Sequence, residues 1–547
     1  MLFNHRYHGS SKVASSAAST EMSFAPDTHR EPTYFVAELG QHLNFREAIS
    51  SLHDVVISDM RFKPRDKTDY MTWLKENEQQ LLADWLDVGL DDLNRITEVR
   101  GDLNALYKAR RRSMGPFYRA QQKYFDYLYK YDYDAWFVLD PVITINPDQI
   151  FFECFSQDES SYGRLSCNYE VFKNIDSFAC GTTNIDYSND LYNEFQKIRD
   201  YKNTQFKVEP GGFEVTTHND DSFVENKIDL PDSWVRGFLQ VSSAMTMPMR
   251  TLTLHPMDMY NICLILKRKK EKIGPRSIRF ILRPGQPVKI IFEPWNTELI
   301  CKRSCYEGEA DEIRMWGRRR LSILERLIPI TKKFTVNLLG TGMPSFFIAH
   351  MNDMDFTLGL SGWTANDWSR LGNFDLMAPR VEADDITKKR VFNALKENWV
   401  ESVASLAKRL NLNKSLVAGS LQAYTQAGRV VYDLVNQVYR VRELSKDPLP
   451  MKLLRFSNER EDRASNFVNA KLVKIKERMI QENALHIRGT VMDDGRKYKT
   501  SIVIDDDQRL SEAECECHFF VRNRLYEGPC EHMLALRIKH NENGRKI

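Results

Sequence analysis

The sequence contains no run of about 18 consecutive apolar residues, so none of its helices is expected to cross a membrane. Charge imbalance is also missing. Lys and Arg number 77 against 75 Asp and Glu, and a net charge of +2 gives no global pull toward nucleic acid. Any such binding must come from a local patch. Met1 to Arg6 are not followed by the long apolar core of a secretory leader, so a cytoplasmic location is expected. In that compartment the nine cysteines, an odd number, are thiols or metal ligands rather than disulfides. No phosphate-cradling Gly-Lys motif, no His-Glu-x-x-His and no local nucleophile signature occurs, so the chain is read as a non-enzyme.

What is present is a chain of 547 residues, enough for about three or four domains. With 42% hydrophobic and 28% charged residues it can bury ordinary globular cores. The expected class is α+β and multidomain. Residues 1–134 read as a mostly helical N-terminal region. Asn44 to Val56 has the spacing of one helix and Lys67 to Trp85 that of another. Leu103 to Tyr133 interleaves Lys108, Arg110, Arg111 and Arg112 with Tyr107, Phe117 and Tyr118. That mixture can grip a nucleic-acid strand, although aromatics at helical spacing are more often a buried core.

Residues 135–380 read as a β-rich central domain, sandwich-like, with inserted helices. Short β-branched and aromatic runs recur there, among them Ile150 to Phe155, Met249 to Leu254, Ile278 to Leu282 and Val288 to Phe292. Turn residues such as Arg283-Pro284-Gly285 separate them.

Residues 384–445 change pattern. Ile386 to Leu395, Val403 to Leu410 and Lys414 to Gln426 read as helices, the second capped by Ser402 and the third by Asn413. Arg429 to Asp433 and Gln437 to Val441 then form a hairpin. Three helices and a hairpin resemble a winged helix, in which the third helix can enter a major groove. Here it offers Asn413, Lys414, Ser415, Ser420 and Gln422. Only one of these is a cation, and a DNA reader has more phosphate contacts than that. Lys446 to Pro450 is a stiff linker to the last domain, 451–547.

That domain holds the strongest chemical signal. Cys515, Cys517, Cys530 and His532 fall within eighteen positions. Three thiols and an imidazole make a closed tetrahedral zinc set with no open position, hence structural rather than catalytic. Along a strand, Cys515 and Cys517 point to one face. His518, their neighbour, is then expected to point away. Cys530 and His532 are expected in the first turn of a helix that continues to His540. Ahead of them, Leu485 to Val491 and Tyr498 to Ile504 flank Asp493-Asp494-Gly495, a hairpin signal.

The pattern C-x-C, twelve residues, C-x-H, with a hairpin ahead and a helix behind, resembles the ββα SWIM-type zinc finger. Asp158-Glu159-Ser160-Ser161-Tyr162, Asp229 to Phe238, Glu293-Pro294-Trp295 and Gly359 to Trp363 are similar to stretches in a group of bacterial SWIM-finger proteins. Members of that group are associated with MoxR-type AAA ATPases and von Willebrand factor A-like proteins. The resemblance implies one structural Zn²⁺ and a protein partner of that kind. Two functions follow as expectations. One is a non-enzymatic interaction adaptor. The other is direct DNA binding through the winged helix and the finger.

Overall fold

The runs of β-branched and aromatic residues fold into sheets, and helices fill the gaps between them, giving a mixed α+β chain. The computed structural model describes residues 12–15, 19–24, 33–58, 141–184, 192, 195–201, 203–208, 232–270, 276–362, 367–368, 383–444, 459–481, 484–504, 510–525 and 528–544. The helix expected over Lys67 to Trp85, the basic-aromatic stretch from Leu103 to Tyr133 and the Lys446–Pro450 linker lie outside the described residues.

An antiparallel eight-stranded sheet forms the centre. Its order is Arg250–Leu254, Lys333–Leu338, Ser345–His350, Met354–Leu360, Ser161–Asn168, Gln149–Phe155, Val142–Ile145 and Gly181–Asn184. Gln149–Phe155 is buried along its whole length, as only a strand covered on both faces can be. Helix His42–Val56 covers one face. It approaches so closely at Gly163 that a Cβ there would stand 3.1 Å from Val55 Cγ2 and 3.2 Å from Leu52 Cδ1. Phe45 of this helix meets Phe152 and Phe206 edge-on, which ties a second, five-stranded sheet to the first. A separate antiparallel four-stranded sheet comprises Ser277–Leu282, Gln286–Phe292, Thr297–Tyr306 and Asp311–Trp316.

The five-stranded sheet corrects the boundary expected at residue 134. Tyr34–Leu39 is a strand, and it pairs with Phe172–Ala179 on one side and Asn203–Val208 on the other. The described part of 1–134 therefore contributes three strands and one helix, Lys12–Ser15, Ser19–Phe24, Tyr34–Leu39 and His42–Val56, to the same fold as the central strands. Local spacing does not reveal a partner more than a hundred residues away.

Residues 383–444 form helices Asp385–Asn398, Val403–Leu410 and Lys414–Gln426, with strand Val400–Glu401 closing on the hairpin Val430–Asp433 and Val438–Val441. The expected caps are present, Ser402 accepting from the Ser405 N–H and Asn413 from the Ser415 N–H. A compact core of Val391, Phe392, Leu395, Leu406, Val417, Leu421, Val430, Tyr439 and Val441 holds this unit together.

The unit is docked on the eight-stranded sheet by buried charge. Arg440 donates to Asp433 at 2.6 Å and, through both terminal nitrogens, to Asp148 at 2.7 and 2.9 Å. Arg164, on the sheet, stands 3.5 Å from the same Asp433 oxygen. Beside them Arg442 donates to Glu153 at 3.2 Å, and Glu153 also accepts from the Tyr162 hydroxyl at 2.7 Å. Burial alone would raise the Asp433 carboxyl, but the Arg164 and Arg440 guanidiniums outweigh it and hold it well below the usual carboxylate range.

The third helix is turned partly inward, with Asn413 and Lys414 at its start exposed. Ser420 and Gln422, two of its polar residues, are buried, and Gln422 donates to the Ser243 hydroxyl on helix Asp232–Met245 at 2.9 Å. Gln426 donates to the same hydroxyl. Ser420 donates to the Leu416 carbonyl of its own helix at 2.8 Å, so these inward polar residues are bonded within the chain.

Candidate metal centre

The last sheet orders Val473–Gln481, Ala484–Asp493, Arg496–Ile504 and Leu510–Cys515, all antiparallel. The hairpin expected at Asp493-Asp494-Gly495 is present. Asp494 and Gly495 both adopt positive φ, 46° and 76°, the conformation a two-residue turn between twisted strands requires. Helix Glu531–Gly544 packs on the sheet through Met533, Leu534 and Leu536. It lies so near that a Cβ on Gly489 would meet Leu536 Cδ1 at 2.5 Å.

Cys515 ends its strand, and Cys530 and His532 flank Glu531 at the start of the last helix. Cys517 differs from the expected strand position. It caps the short helix His518–Asn523, its sulfur accepting from the Phe520 N–H at 3.4 Å. A thiolate that accepts a backbone N–H at a helix start is stabilised in its charged form. His518 is exposed while Cys517 and Cys515 are buried, so it faces away from the cluster as expected.

The four ligand atoms lie within 4.8 Å of one another, and all four residues are buried. Cys515 Sγ and Cys530 Sγ stand 3.7 and 4.0 Å from His532 Nδ1. A tetrahedral zinc ion with Zn–S near 2.3 Å spaces its ligands by about 3.5–3.8 Å. The donor set therefore fits a closed four-coordinate ion with little movement. Asp493, Glu531 and His532 form a second group of possible ligands. A cation already occupies that corner, because the Arg463 guanidinium is 2.9 Å from Asp493 and 3.3 Å from Glu531.

Protonation in the cluster follows from crowding. Hydrogen bonds from Cys515 and Cys530 lower the Cys517 thiol, whereas the bonds Cys530 makes to Cys515 and Cys517, with burial, push it far up. Burial alone would lower His532, but its hydrogen bonds to Cys515 and Cys517 outweigh that and raise it to about 10. A divalent cation bound there would take the place of the protons these groups hold.

Several residues of the centre carry no local signal in the sequence. Helix Glu459–Asn469 brings Arg463 and Phe467 to it. Phe467 and Tyr498 both stack on His532, with centroids 5.7 and 4.5 Å away. Arg460, from the same helix, donates to the Pro529 carbonyl at 3.1 Å and lies over the Phe519 ring. Only Asp493 had a visible role, and that was as a turn residue.

No protein-family model matches the chain, and no curated protein matches it. Among solved structures it is similar to a proliferating cellular nuclear antigen from Entamoeba histolytica, at 8% identity and a TM-score of 0.32, covering 60% of this chain and 98% of that one. A likeness at that level carries no argument about fold or function.

Proposed function

We propose that the chain is a non-enzymatic, zinc-binding interaction protein whose C-terminal domain is a SWIM-type finger. The observation that carries this is the buried convergence of Cys515, Cys517, Cys530 and His532. Three sulfurs and one imidazole in a tetrahedral arrangement favour Zn²⁺ over harder cations, which take oxygen ligands. Four protein ligands leave no position for a reacting water, so the ion holds structure and does not catalyse. Protein purified without added metal is expected to contain about one zinc per chain. Acid should release it, because the thiolates and the neutral imidazole that bind the ion are protonated as pH falls. A folded protein devoid of metal would remove the proposal.

The unit at 383–444 is read as a winged helix used for packing and protein contact. Direct DNA binding through its third helix is the less favoured reading, since Ser420 and Gln422 are turned inward. The partner rests on the resemblance alone: a MoxR-type AAA ATPase or a von Willebrand factor A-like protein. Affinity capture of the tagged chain from its native cell, under gentle conditions, should recover one of these. Recovery of neither counts against the adaptor's partner and leaves the metal centre standing.

A further inference from the structure

The Asp493 side chain has no part in the four-ligand set, yet it faces the one ligand whose orientation can fail. An imidazole binds a metal through either nitrogen, and the choice is set by what the other nitrogen does. His532 Nδ1 points to the sulfurs of Cys515 and Cys530, while Nε2 lies 3.2 Å from Asp493 Oδ2. An ionised carboxylate only accepts hydrogen bonds. Nε2 therefore keeps its proton and donates it, so Nδ1, which faces the sulfurs, is the nitrogen whose proton an ion would displace. Asp493 is itself fixed, because one Arg463 nitrogen donates to both its oxygens at 2.9 and 3.1 Å.

We infer that Asp493 is the positioning residue of the metal centre, selecting the His532 tautomer that binds through Nδ1, and that Arg463 extends this chain of contacts into helix Glu459–Asn469. The inference rests on the proposed metal binding. Partners of this kind raise ligand basicity as well as fixing orientation, and their loss typically weakens metal affinity about 10–100-fold. The arrangement also explains why Asp493, Glu531 and His532 cluster without forming a second cation site. The guanidinium of Arg463 supplies the positive charge that two carboxylates require.

The test is a chelator competition for Zn²⁺ on the full-length chain, paired with the absorption spectrum of the Co²⁺-substituted protein. Wild type should bind one ion. Asp493→Ala should bind about 10–100-fold more weakly, with a shifted Co²⁺ ligand-field band as the imidazole loses its anionic partner. Asp493→Asn keeps an acceptor oxygen for Nε2 and should lose less affinity than Asp493→Ala, and neither variant alters the turn residues Asp494 and Gly495, so the contrast reads positioning. Both variants binding within about twofold of wild type, with unchanged Co²⁺ spectra, would overturn the inference, because the lost partner is expected to matter by at least tenfold. Wild type that binds no ion would instead overturn the metal proposal beneath it.

Discussion

Cys517→Ser should cost the protein its metal and the order of the segment that wraps it. Cys517 is buried, contributes one of the four ligand atoms and caps the helix His518–Asn523. A serine hydroxyl is a poor zinc ligand beside a thiolate. The binding energy at stake in structural zinc sites is about 10–16 kcal/mol near neutral pH, and it counts directly toward folding. The loss should be uneven. The sheet and helix Glu531–Gly544 share an apolar core of Ile487, Val491, Ile502, Ile504, Met533, Leu534 and Leu536. Hydrogen exchange should therefore rise most between 515 and 532 and in helix Glu459–Asn469, which reaches the centre through Arg463 and Phe467. The eight-stranded sheet should keep its protection. Full metal content with unchanged exchange in the variant would show that Cys517 is not a ligand.

Asp433→Ala should destabilise the docked unit by about 3–5 kcal/mol, the usual cost of breaking a buried ion pair from one side. Asp433 and Arg440 are 3% and 2% exposed at their side chains, so removing the carboxylate strands charge where water cannot reach it. Asp148 is the control. It pairs with the same Arg440 but is 47% exposed, and Asp148→Ala should cost no more than about 1 kcal/mol. Urea unfolding of the two variants measures the contrast, and equal effects would sink the reading. The pH dependence has a definite sign. A carboxylate held below its unfolded value of about 3.9 contributes stability that is complete above that value. As pH falls below it, Asp433 protonates in the unfolded chain first, and the contribution drains away toward the depressed folded value. Wild-type stability should fall in that acid window, and Asp433→Ala should show a shallower fall.

Ser277–Leu282 was legible because its inward residues Ile278, Phe280 and Leu282 alternate with Arg279 and Ile281 at its half-exposed positions. Tyr34–Leu39 was not, since five of its six residues are apolar or aromatic and its partners lie at 172–179 and 203–208. The buried Cys515, Cys517, Cys530 and His532 cluster was legible because thiols and imidazole are rare and these four are close in sequence. Asp493 was half legible. Its turn is local, but its bond to His532 exists only after a 39-residue span is folded back. Gln422 on a helix looks like a reader of bases until Ser243 is seen beside it. Asp433, Arg440 and Arg442 resemble the charged rim of a small hairpin, and nothing near them in the chain announces Arg164 or Glu153.

The ring clamp around His532 has a magnetic consequence. The Phe467 ring lies within 6° of parallel to the imidazole, and the Tyr498 ring within 27°. Electrons circulating in both rings shield nuclei held above their faces. The carbon-bound protons of His532 are therefore expected to resonate away from the position of an unstacked histidine, which a proton spectrum measures. Helix Glu459–Asn469 supplies one ring and strand Arg496–Ile504 the other. If either element swings away, the contribution of its ring is lost, so a single side chain reports on the packing of both elements against the cluster.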